Sequence, residues 1–187
     1  MATKIYIDQG HNPVNPNAGS EGNGFREQDL VYTIGQMTAA SLRSYGFDVR
    51  LSRPSPTTQL GTSNTTSLQE RVNDANSWGA DYFISLHTNA SDVTSASGSE
   101  AFVYRRDSDA EYLAENILTQ LNYATGLQNR GVMVRPGLYV LKKTRMPATL
   151  VELGFITNPV DAELMAYSPG LFAAGVSNGV LAYFGML

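Results

Sequence analysis

The chain holds two histidines, and both stand where an apolar run stops. Lys4-Ile5-Tyr6-Ile7 leads through Asp8-Gln9-Gly10 to His11, and Tyr82-Phe83-Ile84-Ser85-Leu86 ends in His87-Thr88-Asn89. A third run, Ala148-Thr149-Leu150-Val151, ends in Glu152. Short apolar, aromatic-rich runs read as buried strands, and open α/β sheets bind ligands beyond the carboxyl ends of their strands. Three such ends, each finishing in a group that binds metal or moves protons, therefore read as converging on one site. Two imidazoles and one carboxylate form a common catalytic zinc set that leaves a fourth position for water. Neutral imidazole suits zinc better than calcium or magnesium. Glu27 follows the His11 loop and opens a helix, so it is the expected third ligand; its plainer role is an acid complementing the helix dipole. Glu152 is the expected base, against the plainer role of a solvated acid at a strand end. Asp8 reads either as a partner to a ligand histidine or as a turn residue.

The elements that must position these groups alternate. Strands are expected at 4–7, 47–51, 82–86, 99–104, 138–141 and 148–151. Helices are expected from Glu27 to the stop at Gly46, from a Ser67-Leu68-Gln69-Glu70 capping box to Asn76, and from Ser108 to Tyr123. In the first, Leu30, Ile34, Met37 or Thr38, and Leu42 fall at helical spacing. Asn158-Pro159 and Ser168-Pro169 each resemble an N-cap with proline at the first helical position. The last helix should bury Leu171, Val176, Val180 and Phe184. Stretches 11–25, 52–66, 89–98 and 125–136 read as loops. The pattern predicts a single α/β domain over residues 1–187, a mostly parallel twisted sheet of about five or six strands with helices on both faces.

Composition narrows the partners. At 187 residues with 42% hydrophobic content, the chain can bury a sizeable core, and its net charge of −4 argues against a nucleic-acid binder. No apolar run is long enough to cross a bilayer, so membrane insertion is not expected. With no cysteine, thiolate metal sites are excluded. The Gly19, Gly22, Gly24 loop lacks the spacing of a dinucleotide fingerprint. Arg130, Arg135, Lys142, Lys143 and Arg145 form a basic cluster that could meet substrate carboxylates, or simply be a solvated face.

Taken together and in order, the residues resemble the zinc-dependent N-acetylmuramoyl-L-alanine amidases of bacterial cell walls and phage endolysins. The matching stretches are Ile7-Asp8-Gln9-Gly10-His11, Glu27 with Asp29-Leu30, Leu68 to Arg71, Ser85 to Ala90, Gly98-Ser99-Glu100, and Pro147 through Val151-Glu152-Leu153-Gly154-Phe155-Ile156-Thr157-Asn158. The resemblance implies zinc (Zn2+) bound by His11, Glu27 and His87, with Glu152 as the catalytic carboxylate. It implies cleavage of the amide between the muramic acid lactyl group and L-alanine of the peptidoglycan stem. It further implies action at the bacterial cell wall, here expected of a monomer. No signal peptide is visible, so phage-type release or a leader already trimmed is expected. Where the family often has a Gly-rich step after the first histidine, this chain has Asn12-Pro13. The alternatives are another zinc peptidase such as a carboxypeptidase, which would need a cation for a terminal carboxylate, and a peptidoglycan-binding module without catalysis.

Overall fold

Along the central strands, neighbouring residues turn to opposite sides of the sheet, and both sides are apolar. Ile5 and Ile7 face one way and Tyr6 the other; Ile84 and Leu86 oppose Phe83; Val151 and Leu153 oppose Leu150. Strands buried on both faces belong inside a parallel sheet covered by helices. The computed structural model, which describes residues 2–187, has that architecture. Its sheet has six strands in the order β4 (Asp48–Leu51), β1 (Lys4–Gln9), β5 (Tyr82–Asn89), β8 (Ala148–Phe155), β6 (Ser99–Val103), β7 (Asn129–Val134). All neighbours are parallel except β6 and β8.

On one face lie α1 (Glu27–Ser44), α3 (Asp109–Thr125) and α6 (Pro169–Tyr183), which supply most of the larger core; α5 (Pro159–Tyr167) adds Met165. On the other face α2 (Asn64–Trp78) and the short α4 (Tyr139–Lys143) cover Tyr6, Phe83, Leu150 and Phe102. That second face loses its apolar character toward the carboxyl ends of β1, β5 and β8. Tyr6 gives way to Asp8, Phe83 to Ser85 and His87, and Leu150 to Glu152. Among the described residues no helix is long and apolar enough to cross a membrane.

Several local expectations are corrected. Residues 138–141 are not a strand: α4 begins at Tyr139, and its consecutive Val140 and Leu141 both pack inward. A four-residue apolar run carries too little periodicity to separate the two forms. The 125–136 loop contains β7, an edge strand that starts with the polar Asn129-Arg130-Gly131 and ends in Val132-Met133-Val134, none of them fully buried. The 11–25 loop contains a small hairpin, β2 (Glu21–Gly22) with β3 (Phe25–Arg26). Its turn at Asn23 and Gly24 has φ of 52° and 82°, the pairing that Asn-Gly favours. Helix α2 starts one turn earlier than the Ser67 box: Ser63 caps it and pairs reciprocally with Thr66, while Ser67 is buried inside the helix. Asn158 caps α5, accepting from the amides of Val160 and Asp161, but the Ser168 side chain makes no capping bond. In α6 it is Phe172 that is buried and Leu171 that is exposed, because Phe172, Val176 and Val180 form the inward row at four-residue spacing. In α1 the inward residue is Thr38, not Met37.

The α2 cap gives a direct check. Ser63→Ala should cost about 1 kcal/mol, lowering Tm by about 2–4 °C for a chain of this size. Glu70→Ala, at an exposed position, should leave Tm unchanged in the same calorimetric series.

Candidate metal and proton-transfer site

Four elements meet at the uncovered end of the second face. β5 carries His87, β8 carries Glu152, the turn after β1 carries His11, and Glu27 is the first residue of α1. α1 packs on the opposite face, so Glu27 reaches past the sheet end from behind. It is 2% exposed. One carboxylate oxygen lies 3.1 Å from Nδ1 of His87 and 3.2 Å from Nε2 of His11, and accepts the Thr88 amide at 2.9 Å. The other oxygen accepts the Ser20 amide at 2.9 Å. Burial pushes the Glu27 carboxyl up, but hydrogen bonding to His11 and His87 and their charge outweigh it and hold it well below the usual carboxylate range. The imidazole rings stand edge to face, 4.8 Å apart. His11, Glu27 and His87 each offer a ligand atom, all within 4.8 Å of one another, so the group can hold a metal ion. Two imidazole nitrogens and a carboxylate oxygen on one side of an open cleft fit a transition metal with a free position.

The cleft tolerates this crowding because glycine stands at two close approaches. A Cβ on Gly10 would lie 2.5 Å from the His87 ring, and one on Gly19 would lie 2.8 Å from a Glu27 oxygen. His11 itself takes the left-handed conformation, φ 65°, a backbone state held only when its surroundings impose it. Arg71 of α2 imposes it. This guanidinium, 1% exposed, donates to Asp8, to the carbonyl of Gln9 at 2.7 Å and to the carbonyl of His11 at 2.6 Å. Asp8 also accepts from Ser85 at 2.7 Å. Burial raises the Asp8 carboxyl, but Arg71 and the Ser85 hydroxyl bring it below its ordinary value. Asp8 is thus neither a turn residue nor hydrogen-bonded to a histidine; it anchors Arg71. Asn12, fully buried, donates to the carbonyls of Pro16 and Leu60, both at 2.8 Å, and so closes the loop at the Asn12-Pro13 departure.

Glu152 stands one strand from His87, in direct register with it, and in register with Glu100 of β6 on its other side. Glu100 is satisfied, accepting from Asn89 at 2.7 Å and Arg130 at 2.9 Å. Glu152 is not: its Oε2 is buried without a partner. Burial, then the negative charges of Glu27 and Glu100, push the Glu152 carboxyl up to about 8. A cation held by the neighbouring triad would pull it back down.

All four expected site residues therefore come together, while Arg71 and Glu100 were not singled out. Arg71 had a signal: it occupies the inward phase of α2 with Ser67 and Ala75, where a charge needs a buried partner. Glu100 had none beyond its place in a matching stretch. The basic cluster divides, since Arg130 is committed to Glu100 whereas the other four residues lie away from the site.

Residues 5–182 match the family described as N-acetylmuramoyl-L-alanine amidase. The amidase LytC of Bacillus subtilis is 35% identical over 184 residues; the match takes in 96% of this chain but only 35% of that protein, so the chain spans about a third of this relative's length. The amidase CwlM of Bacillus licheniformis is 34% identical, with 98% of this chain and 69% of that protein covered. Among solved structures, the amidase AmiC2 of Nostoc punctiforme superposes with a TM-score of 0.84 at 30% identity, covering 98% of this chain and 97% of that one.

The raised Glu152 carboxyl has a consequence for stability. Below its ordinary value of 4.5 the group is protonated in folded and unfolded chains alike. Between that value and about 8 only the unfolded chain ionises, so folding weakens as pH rises through that window. Metal-free protein should therefore lose Tm between about pH 5 and about pH 8, and Glu152→Gln should flatten that decline. Melting curves that fall equally steeply in the variant would assign the pH dependence to another group.

Proposed function

This chain belongs to the N-acetylmuramoyl-L-alanine amidase family, and from that premise we propose that residues 1–187 form one zinc-dependent catalytic domain. It hydrolyses the amide between the lactyl group of N-acetylmuramic acid and the L-alanine of the peptidoglycan stem peptide, acting as a monomer at the bacterial cell wall. The observation that carries this reading is the convergence of His11, Glu27 and His87 beside a buried, unpartnered Glu152 oxygen.

In this reading His11, Glu27 and His87 hold the zinc. Zinc, when bound, supplies a Lewis acid for the scissile carbonyl and acidifies the attacking water. Glu152 takes the proton of that water on its free oxygen and hands it to the departing amine of L-alanine. Burial, Glu27 and Glu100 raise its proton affinity and a cation held by the triad would lower it again, so the carboxylate can take the water's proton and still release it to the amine. The amides of Ser20 and Thr88 keep Glu27 from rotating, and Arg71 keeps the His11 turn in place. A carboxypeptidase would need a cation beside the scissile bond; Arg71, which lines the cavity with His11 and His87, is paired with Asp8, and Arg130 is paired with Glu100.

Glu152→Gln separates holding the metal from using it. The variant should keep about one zinc per chain and its melting temperature in the zinc-loaded form, while turnover of peptidoglycan falls at least about 10²- to 10⁴-fold. Loss of zinc would make Glu152 a ligand, and near-normal turnover would send the proton elsewhere. His87→Ala should instead lose zinc, read by metal analysis after dialysis. Mass spectrometry of digested peptidoglycan should show new L-alanine amino termini and no new reducing sugar ends; reducing ends would identify a glycosidase.

A further inference from the structure

Thirteen lysines and arginines are present, and most are spoken for. Lys4, Arg26, Arg43, Arg50, Arg53, Arg71, Arg106 and Arg130 each engage a carboxylate or a backbone carbonyl. Among the described residues, the remaining side chains, Arg105, Arg135, Lys142, Lys143 and Arg145, make no hydrogen bond or ion pair, and all are exposed. They gather in one place. Segments 104–111 and 135–145 hold six basic and three acidic residues, a net charge of +3 in a chain of net −4. Between them lies a cavity of about 410 Å³ bordered by three cations, Arg105, Lys142 and Arg145, against one acid, Asp109, with the hydroxyl residues Ser108 and Thr144. The turn that carries Arg145 is fixed from α2: Asn76 donates to the Lys143 carbonyl at 3.1 Å and accepts the Arg145 amide at 2.9 Å.

This basic region adjoins the catalytic cleft along α4, whose Tyr139 and Val140 line the cleft cavity and whose Leu141 and Lys142 line the basic one. Tyr139 lines a cavity of about 150 Å³ that also touches His11 and His87. Lys142 and Lys143 follow Tyr139 by three and four residues, hence share its side of the helix, while Val140 and Leu141 are buried beneath. Along β8 the step from Glu152 to Ala148, which borders the basic cavity, is four residues, or about 13 Å. An extended peptide of about four residues spans the same distance.

We propose that the outer face of α4, together with the basic cavity at its end, is a subsite for carboxylates of the stem peptide roughly four residues beyond the scissile amide. The assignment rests on the amidase reading for the identity of the peptide. Adjacency to the cleft along α4 favours a segment of the substrate over a separate phosphodiester polymer, which would need no such placement.

The test uses the full zinc-loaded chain and two synthetic stem peptides beginning with L-alanine, one with free carboxylates and one fully amidated. By titration calorimetry at low salt, the unaltered protein should bind the free-carboxylate peptide about tenfold more tightly, as expected for three exposed charge contacts. That preference should vanish at high salt and in the triple variant Lys142→Ala, Lys143→Ala, Arg145→Ala. Lys142→Glu alone should diminish it, which covers any misfolding of the triple variant. With a muramyl peptide substrate, the triple variant should raise KM about tenfold and leave kcat unchanged. A triple variant that keeps the preference, or an unaltered protein that lacks it, overturns the proposal. So does tighter binding of a poly(glycerol phosphate) oligomer than of the acidic peptide, which would assign the surface to a phosphodiester partner. If the preference is found but no amide is cleaved, the subsite stands and the amidase reading falls.

Discussion

The site depends on a buried ion pair between Arg71 and Asp8. The Arg71 guanidinium is 1% exposed, and its two terminal nitrogens find their partners only while α2, the end of β1 and the His11 turn keep their places around it. Removing one partner of such a pair typically costs about 3–5 kcal/mol, because the other charge is left stranded. The ion pair with Asp8 is therefore less a source of stability than a constraint on geometry. It holds the His11 carbonyl, and with it a left-handed backbone that histidine would not choose. Ser85, donating to the same Asp8, extends the constraint to β5, the strand that carries His87.

Around this anchor the acids are sorted by what satisfies them. Asp8 has Arg71 and Ser85, Glu27 has two amides and two imidazoles, and Glu100 has Asn89 and Arg130. Glu152 alone retains a buried oxygen with no partner, between two negative neighbours. A buried polar group in that state is costly, and a carboxyl meets the cost by holding a proton. The same helices that cover the apolar half of this face leave the polar half open, so the group that carries the proton borders the cleft.

Much of this was legible in the chain itself. The periodicity of Ile5-Tyr6-Ile7, Tyr82 to Leu86 and Ala148 to Val151 marks doubly buried strands, and the polar residue that ends each run marks the sheet edge where chemistry can sit. Those two facts place His11, His87 and Glu152 at one end of a parallel sheet, because side-chain alternation and the rule for strand carboxyl ends are local and general. Glu27 followed from its position at a helix start. Where segments were short, local signals competed. Leu138 to Leu141 has strand composition and became a helical turn, the polar Asn129-Arg130-Gly131 masked the apolar second half of β7, and Ser63 rather than Ser67 caps α2.

Tertiary structure decided the rest, since it turns on which groups share a desolvated volume. Asp8 and Arg71 are 63 residues apart, and nothing in either segment says that they are buried against each other. Arg130 read as one of a basic cluster until Glu100 claimed it across the edge of the sheet. Glu152 read as an acid at a strand end, but its raised proton affinity comes from burial and from carboxylates on α1 and β6. Electrostatic energies depend on distance and on the surrounding dielectric, and both are set only once the strands and helices have packed.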